Sequence, residues 1–225
     1  MKENCYITSL RTTHKDREKE LTGPCGPCSF INLTKSKGSF EFEKKLSDMG
    51  RLKPFLVCYY ISFLVWGKKF KKDFKVFTSS RKLTKKGFNL IIAYENKYEN
   101  KYGGISKEKL KKFKEQAIKT HEKIDKRFSN KIKLLREPLQ KLDKLLEQGY
   151  RVAVLTSSFY FDDDFNKKNP APHWIVAFKK EKNKYWFCDS ANGIISFTKK
   201  QLEKGWKINK KDGFSAQLVA YKEKE

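Results

Sequence analysis

Near residue 150 the apolar pattern of this chain changes period, and that change restricts the fold more than any other feature. Before it, Leu110, Phe113, Ala117, His121, Ile124 and Phe128 step by three and four, which predicts one face of a long amphipathic helix coated with lysine outside. After it, residues 151–157, 174–179, 184–188 and 214–221 are rich in β-branched and aromatic side chains and predict strands. Helices first and strands afterwards is the order of an α+β chain, whose mostly antiparallel sheet needs helices to cover it. With 225 residues such a chain buries a substantial core, as one domain with an insertion or as one large and one small domain.

The helical part begins at Cys25, where small and apolar residues run to Lys37-Gly38; this predicts a buried helix with Pro27 in its first turn and Gly38 as its C-cap. Further helices are expected over residues 42–52, 54–66 and 138–148, the last ending at Gly149. Short strands are expected over residues 5–10, 74–77 and 89–94, and the charged stretch 11–20 reads as a loop or exposed helix. Residues 39–149 thus form a mostly helical, lysine-rich insertion within one domain spanning 1–225.

The formal charge of +25 invites a nucleic-acid partner, because clustered cations displace counterions from phosphates. Lysine supplies nearly all of that charge and is spread from end to end, whereas arginine, the better bidentate reader of phosphate and guanine, is scarce. A solvated lysine surface with weak affinity for acidic partners is expected, without sequence-specific nucleic-acid binding. Five cysteines, an odd and irregularly spaced set, do not make a disulfide framework and suggest a reducing compartment. The start Met1-Lys2-Glu3-Asn4-Cys5 has no apolar signal core, and the run 54–66 is too short to span a bilayer. A cytoplasmic protein is the expectation.

Chemistry concentrates in Cys25-Gly26-Pro27-Cys28. A thiol becomes a nucleophile when its thiolate is stabilised, and a helix N-terminus offers unpaired N–H groups and a favourable dipole. Acyl chemistry at sulfur also requires an imidazole to pair with it and a third group to orient that imidazole. Among the three histidines, His14 lies in a charged segment and His121 on an apolar stripe, whereas His173 stands at the mouth of a strand in Pro172-His173-Trp174-Ile175. The next strand delivers Asp189, sixteen positions later, a spacing that fits strand, turn and strand. Asn192 is a weaker candidate for the orienting role. The acidic run Asp162, Asp163 and Asp164 precedes His173 and offers a recognition loop for a cationic substrate group, or a solvated loop.

Taken alone, Cys25-Gly26-Pro27-Cys28 also spells a thioredoxin-like redox dithiol. That motif should follow an apolar strand, and the residues before it, Glu18-Lys19-Glu20-Leu21-Thr22, are not one. A zinc site adding Cys5 and His14 lacks compact ligand spacing, so no metal and no cofactor are expected.

The stretch Cys25-Gly26-Pro27-Cys28-Ser29-Phe30, with Gly38 closing the helix, resembles the nucleophile helix of the bacteriocin-processing (double-glycine leader) peptidase family and its soluble relatives in the papain-like superfamily. The helix-glycine-strand passage from Leu142, Leu145 and Leu146 through Gly149 to Val152 and Val154 is similar to theirs. So are His173-Trp174-Ile175-Val176 as base strand, Trp186-Phe187-Cys188-Asp189 as acid strand, and the segment from Ile195 to Trp206 as closing helix. The resemblance implies a papain-like fold and a cysteine peptidase, or related thiol amide hydrolase or acyltransferase, acting on a peptide or a small amide or thioester through Cys25, His173 and Asp189. Cys28 is the alternative nucleophile, because papain itself places its reactive cysteine second in such a motif. Family members carry a glutamine about six positions before the cysteine as an oxyanion donor. Here Lys19 and Thr22 hold those positions before Cys25 and Cys28 respectively. Either one, or a backbone N–H, would supply the donor; a catalytically inactive peptide-binding module is the reading in which none does.

Overall fold

The strand-like runs of the last third assemble into one sheet. The computed structural model describes residues 4–7, 25–50, 58–82, 89, 106–160 and 172–223. Among the described residues the sheet has seven strands: β1 (Lys75–Thr78), β2 (Ile132–Leu134), β3 (Arg151–Ser157), β4 (Pro172–Glu181), β5 (Lys184–Asp189), β6 (Gly193–Thr198) and β7 (Gln217–Tyr221), in the order β2-β1-β7-β3-β4-β5-β6. Every pairing is antiparallel except β1 with β2. Residues 39–149 contribute β1 and β2 to one edge, together with helices α2 (Phe40–Gly50), α3 (Tyr60–Lys69), α4 (Lys107–Arg127) and α5 (Pro138–Glu147). α1 (Cys25–Thr34) precedes them and α6 (Lys199–Lys211) joins β6 to β7.

Because successive side chains on a strand point to opposite faces, the sheet carries two cores. Val76, Ala153, Leu155, Trp174, Val176 and Val219 pack with α1, α2, α3 and Ala117 of α4. The intervening Phe77, Val152, Val154, Ile175, Ala177 and Leu218 pack with α5 and α6. Each large side chain taken fully out of water contributes roughly 1.5–3 kcal/mol before entropy is counted, so burial on both faces is what holds the sheet between its helices. α1 is sunk deepest, with every residue from Gly26 to Thr34 buried. Phe30 meets the rings of Trp66, Phe74 and Phe42 edge-on, at centroid distances of 5.5, 5.8 and 6.3 Å. Trp66 in turn donates its indole N–H to the Leu46 carbonyl at 2.8 Å, joining α3 to α2.

Several expectations need correction. α1 stops at Thr34, short of Gly38: Lys35 takes the left-handed conformation (φ 51°), and the Ser36 N–H closes on the Ile31 carbonyl at 3.1 Å, so a lysine occupies the usual glycine place. Gly38 serves a different end, since a Cβ there would lie 2.1 Å from the Tyr6 ring. Residues 5–7 are not a strand; the Asn32 side chain takes both the N–H and the carbonyl of Tyr6, leaving them nothing for a neighbouring strand. The third helix begins at Tyr60. The supposed closing helix is a strand, β6, followed by α6, which starts at Lys199 because Thr198 and Gln201 form a capping box. Of the run 89–94 only Asn89 is described, in helical conformation, and residues 11–20 lie outside the described residues.

The cysteines also depart from expectation. Cys5 and Cys188 form a disulfide, 183 positions apart in sequence, while Cys25, Cys28 and Cys58 are free thiols. A bond of that span leaves no local trace in the sequence and requires the fold to bring its ends together. Among the described residues no helix is long and apolar enough to cross a membrane.

Candidate active site

Cys25 opens α1 and is half-buried, the one residue of that helix not enclosed by the core. At this position the first-turn N–H groups have no intrahelical acceptors, and the helix dipole favours negative charge on the sulfur. Pro27 fits the first turn without loss of a hydrogen bond.

The base and acid come from the hairpin of β4 and β5, registered so that Val176 faces Cys188. His173 lies at the start of β4 and Asp189 at the end of β5, so antiparallel pairing brings them to the same end of the sheet. The His173 Nε2–Asp189 Oδ2 distance is 2.6 Å, and the Asp189 side chain is fully buried. Asp189 Oδ1 accepts the N–H of Ala191 at 3.0 Å, the N–H of Asn192 at 2.7 Å and the side-chain amide of Asn192 at 2.8 Å. A carboxylate held by three donors and an imidazole has little freedom left. With Nε2 committed to Asp189, Nδ1 is the ring nitrogen left to face Cys25, whose thiol is hydrogen-bonded to His173.

The charges reinforce this arrangement. Burial alone would raise the Cys25 thiol; the hydrogen bond and positive charge of His173, with the N–H of Trp174, outweigh it and bring the thiol below its ordinary value. Burial would lower His173, but attraction to Asp189 and contact with Cys25 raise it to about 10. Burial would raise Asp189, yet His173 and the backbone N–H groups of Asn192 and Ala191 hold it below the usual carboxylate range. The three shifts together point toward thiolate, imidazolium and carboxylate. That combination suits attack on a carbonyl carbon followed by proton delivery to the departing atom.

The structure thus brings Cys25, His173 and Asp189 together and separates them from Cys28, which is fully buried in the next part of α1. Asn192 grips the acid rather than the imidazole. Lys19, Thr22, Asp162, Asp163 and Asp164 lie outside the described residues. His121 packs against the rings of Tyr59 and Tyr60 in the core. The zinc reading loses Cys5 to the disulfide, and among the described residues no cluster of three or more potential ligands is placed to hold a metal ion.

Two further residues border the nucleophile. Trp174 gives its backbone N–H to Cys25 and its indole N–H to the Cys58 carbonyl at 2.9 Å. The Cys58 side chain fills the space over Gly26, where a Cβ would lie 2.5 Å from Cys58 Cβ and 2.8 Å from its sulfur. Glycine after the nucleophile is therefore a packing requirement. The sequence carries no signal for Cys58, which depends on α3 docking beside α1. Comparison of the chain with known protein families, with curated proteins and with solved structures finds no match.

Proposed function

We propose that this protein is a thiol hydrolase or acyltransferase of the papain-like kind, akin to the bacteriocin-processing peptidases, acting on a peptide or a small amide or thioester. The observation that carries the reading is the chain of contacts from Cys25 through His173 to a fully buried Asp189. Cys25 thiolate attacks the carbonyl carbon, forming a carbon–sulfur bond. The oxyanion is taken up by the first-turn N–H groups of α1, which have no intrahelical acceptors. His173 gives its proton to the leaving amine or thiol, and Asp189 keeps the ring aligned. Water or an acceptor amine then adds to the acyl-enzyme, returning the proton to His173 and releasing Cys25.

The dithiol redox reading loses support because Cys28 is inaccessible, and a peptide-binding module without catalysis gives no reason for an imidazole raised to about 10 beside a thiol held low. For location, the Cys5–Cys188 disulfide weighs against the reducing cytoplasm suggested by the cysteine count and favours an oxidising environment. Weak association with acidic partners follows from the charge of +25.

The test is iodoacetamide labelling with mass mapping. Fast modification of Cys25 in the native chain and its loss in His173→Ala support the reading. Equal labelling of Cys25 with and without His173 would sink it.

A further inference from the structure

Residues 4–7 are laid across the acid end of the triad. Tyr6 donates its N–H to Asn32 Oδ1 at 2.7 Å and accepts from Asn32 Nδ2 at 3.0 Å, so the segment is tied to α1. Its ring occupies the notch left by Gly38, and the Ile7 side chain reaches within 3.4 Å of where a Cβ would stand on Gly193. Cys5 is bonded to Cys188, the residue immediately before Asp189. Gly193 is the β6 partner of Asp189, and the turn between them supplies all three donors to Asp189 Oδ1. The segment therefore grips the acid-bearing turn from both ends, covalently at Cys188 and by packing at Gly193.

We infer that residues 4–7 are a positioning strap for Asp189, cross-linked through Cys5–Cys188, and that reduction of this disulfide loosens the triad and slows the chemistry of Cys25. The inference rests on the thiol-hydrolase reading above. Asp189 reaches the Cys25 sulfur through His173, and the strap acts through Asp189.

The disulfide is built asymmetrically, in a way that suits reversible reduction. Cys5 is half-buried while Cys188 is 1% exposed, so an external thiolate reaches the Cys5 sulfur first. Arg151 Nη2 lies 3.6 Å from the Cys188 sulfur. A neighbouring guanidinium stabilises a thiolate, and a better-stabilised leaving thiolate departs faster. In the reaction a thiolate of a small thiol attacks Cys5 Sγ; a new sulfur–sulfur bond forms, the Cys5–Cys188 bond breaks, and Cys188 leaves as thiolate beside Arg151. A second thiol molecule attacks the mixed disulfide at its own kind of sulfur, releasing Cys5 thiolate and one molecule of oxidised small thiol. The protein disulfide gains two electrons and the two small thiols lose them. With the covalent tie gone, the strap is left with the Asn32 hydrogen bonds and the packing of Tyr6 and Ile7.

The experiment compares the full-length native chain with Cys5→Ser, measuring the rate of Cys25 alkylation by iodoacetamide from acid to alkaline pH, with mass mapping of Cys25 and Cys28. A weaker hold on Asp189 weakens the imidazolium and with it the thiolate. Cys5→Ser is expected to label Cys25 about tenfold more slowly at a pH near 6, and at the native rate once the medium itself ionises the thiol, with Cys28 unlabelled throughout. The native chain equilibrated with reduced glutathione and then desalted is expected to follow the variant's profile, and reoxidation to restore its own. An unchanged Cys25 profile in Cys5→Ser overturns the strap, as does rapid labelling of Cys28, which would make the bond a general staple of the fold. Free thiols at Cys5 and Cys188 in the unreduced protein also overturn it. Failure of the underlying reading looks different: the native Cys25 would then label at a rate indifferent to His173.

Discussion

Replacing Asp189 with Asn keeps the shape of the acid and removes its charge. Among the described residues, Asp189 and the Cys25 thiolate are the negative charges acting on His173, and the two together raise the imidazole from 6.5 to about 10. At about 1.4 kcal/mol per tenfold change, that displacement represents on the order of 5 kcal/mol of preference for the charged ring. If Asp189 supplies about half of it, Asp189→Asn weakens the imidazolium by roughly 2–3 kcal/mol, which is about 30- to 150-fold in the ionised pair. Iodoacetamide reaction with Cys25, followed across pH, reads this directly. The native chain should react from below the ordinary thiol range, and its alkaline transition, where the imidazolium gives up its proton, should fall near about 10. In Asp189→Asn the acid limb moves up and the alkaline limb moves down toward neutrality. Stability should follow the same titration. A base raised on folding contributes stability below its unfolded value of 6.5 and loses it as pH rises through about 10. The difference in urea midpoint between the two proteins is therefore widest in mild acid and narrows at strongly alkaline pH. An alkaline limb that stays where the native chain has it would refute the assignment of Asp189 as the group that charges His173.

Gly26→Ala forces a methyl group to 2.5 Å from Cys58 Cβ; it should cost about 1–3 kcal/mol in urea denaturation, and Cys58→Ala in the same chain should recover part of that loss. Cys28→Ala removes a fully buried thiol and should lower stability by about 1 kcal/mol while leaving the Cys25 labelling rate within about twofold. His121 is buried against Tyr59 and Tyr60, and desolvation holds it below its ordinary value despite the carboxylates of Asp125 and Glu122. The unfolded chain therefore binds a proton there that the folded chain resists. Stability should fall as pH drops through about 6.5, and His121→Gln should flatten that slope in denaturant titrations.

What the sequence disclosed, and what it hid, divides along the range of the interactions. The stripe from Leu110 to Phe128 and the strand runs after residue 150 announced α4, β3, β4 and β5, because a solvated helix face and a two-faced strand impose their periods directly on the residues. Cys25, His173 and Asp189 were legible for a similar reason: a helix start, a strand mouth and a strand end are local features, and antiparallel pairing does the rest. β2 escaped because three residues carry no period, and β6 because the resemblance assigned Ile195 to Trp206 to a closing helix, although the i, i+2 spacing of Ile195 and Phe197 is a strand's. Lys35 at a left-handed helix end broke the glycine rule, which moved the apparent end of α1 to Gly38. The Cys5–Cys188 bond, the Tyr6 notch at Gly38 and the place of Cys58 over Gly26 are tertiary contacts, invisible until α1, α3 and β5 are in position.

The central claim is that Cys25 forms a covalent acyl intermediate with the help of His173. Rapid quenching of the native chain with a slowly turned-over peptide thioester, followed by digestion and mass spectrometry, tests it most directly. The account predicts an added acyl mass on the peptide carrying Cys25, abolished in Cys25→Ala and reduced at least about a hundredfold in rate in His173→Ala. An acyl mass on another residue, or on Cys25 at the same rate without His173, would contradict it.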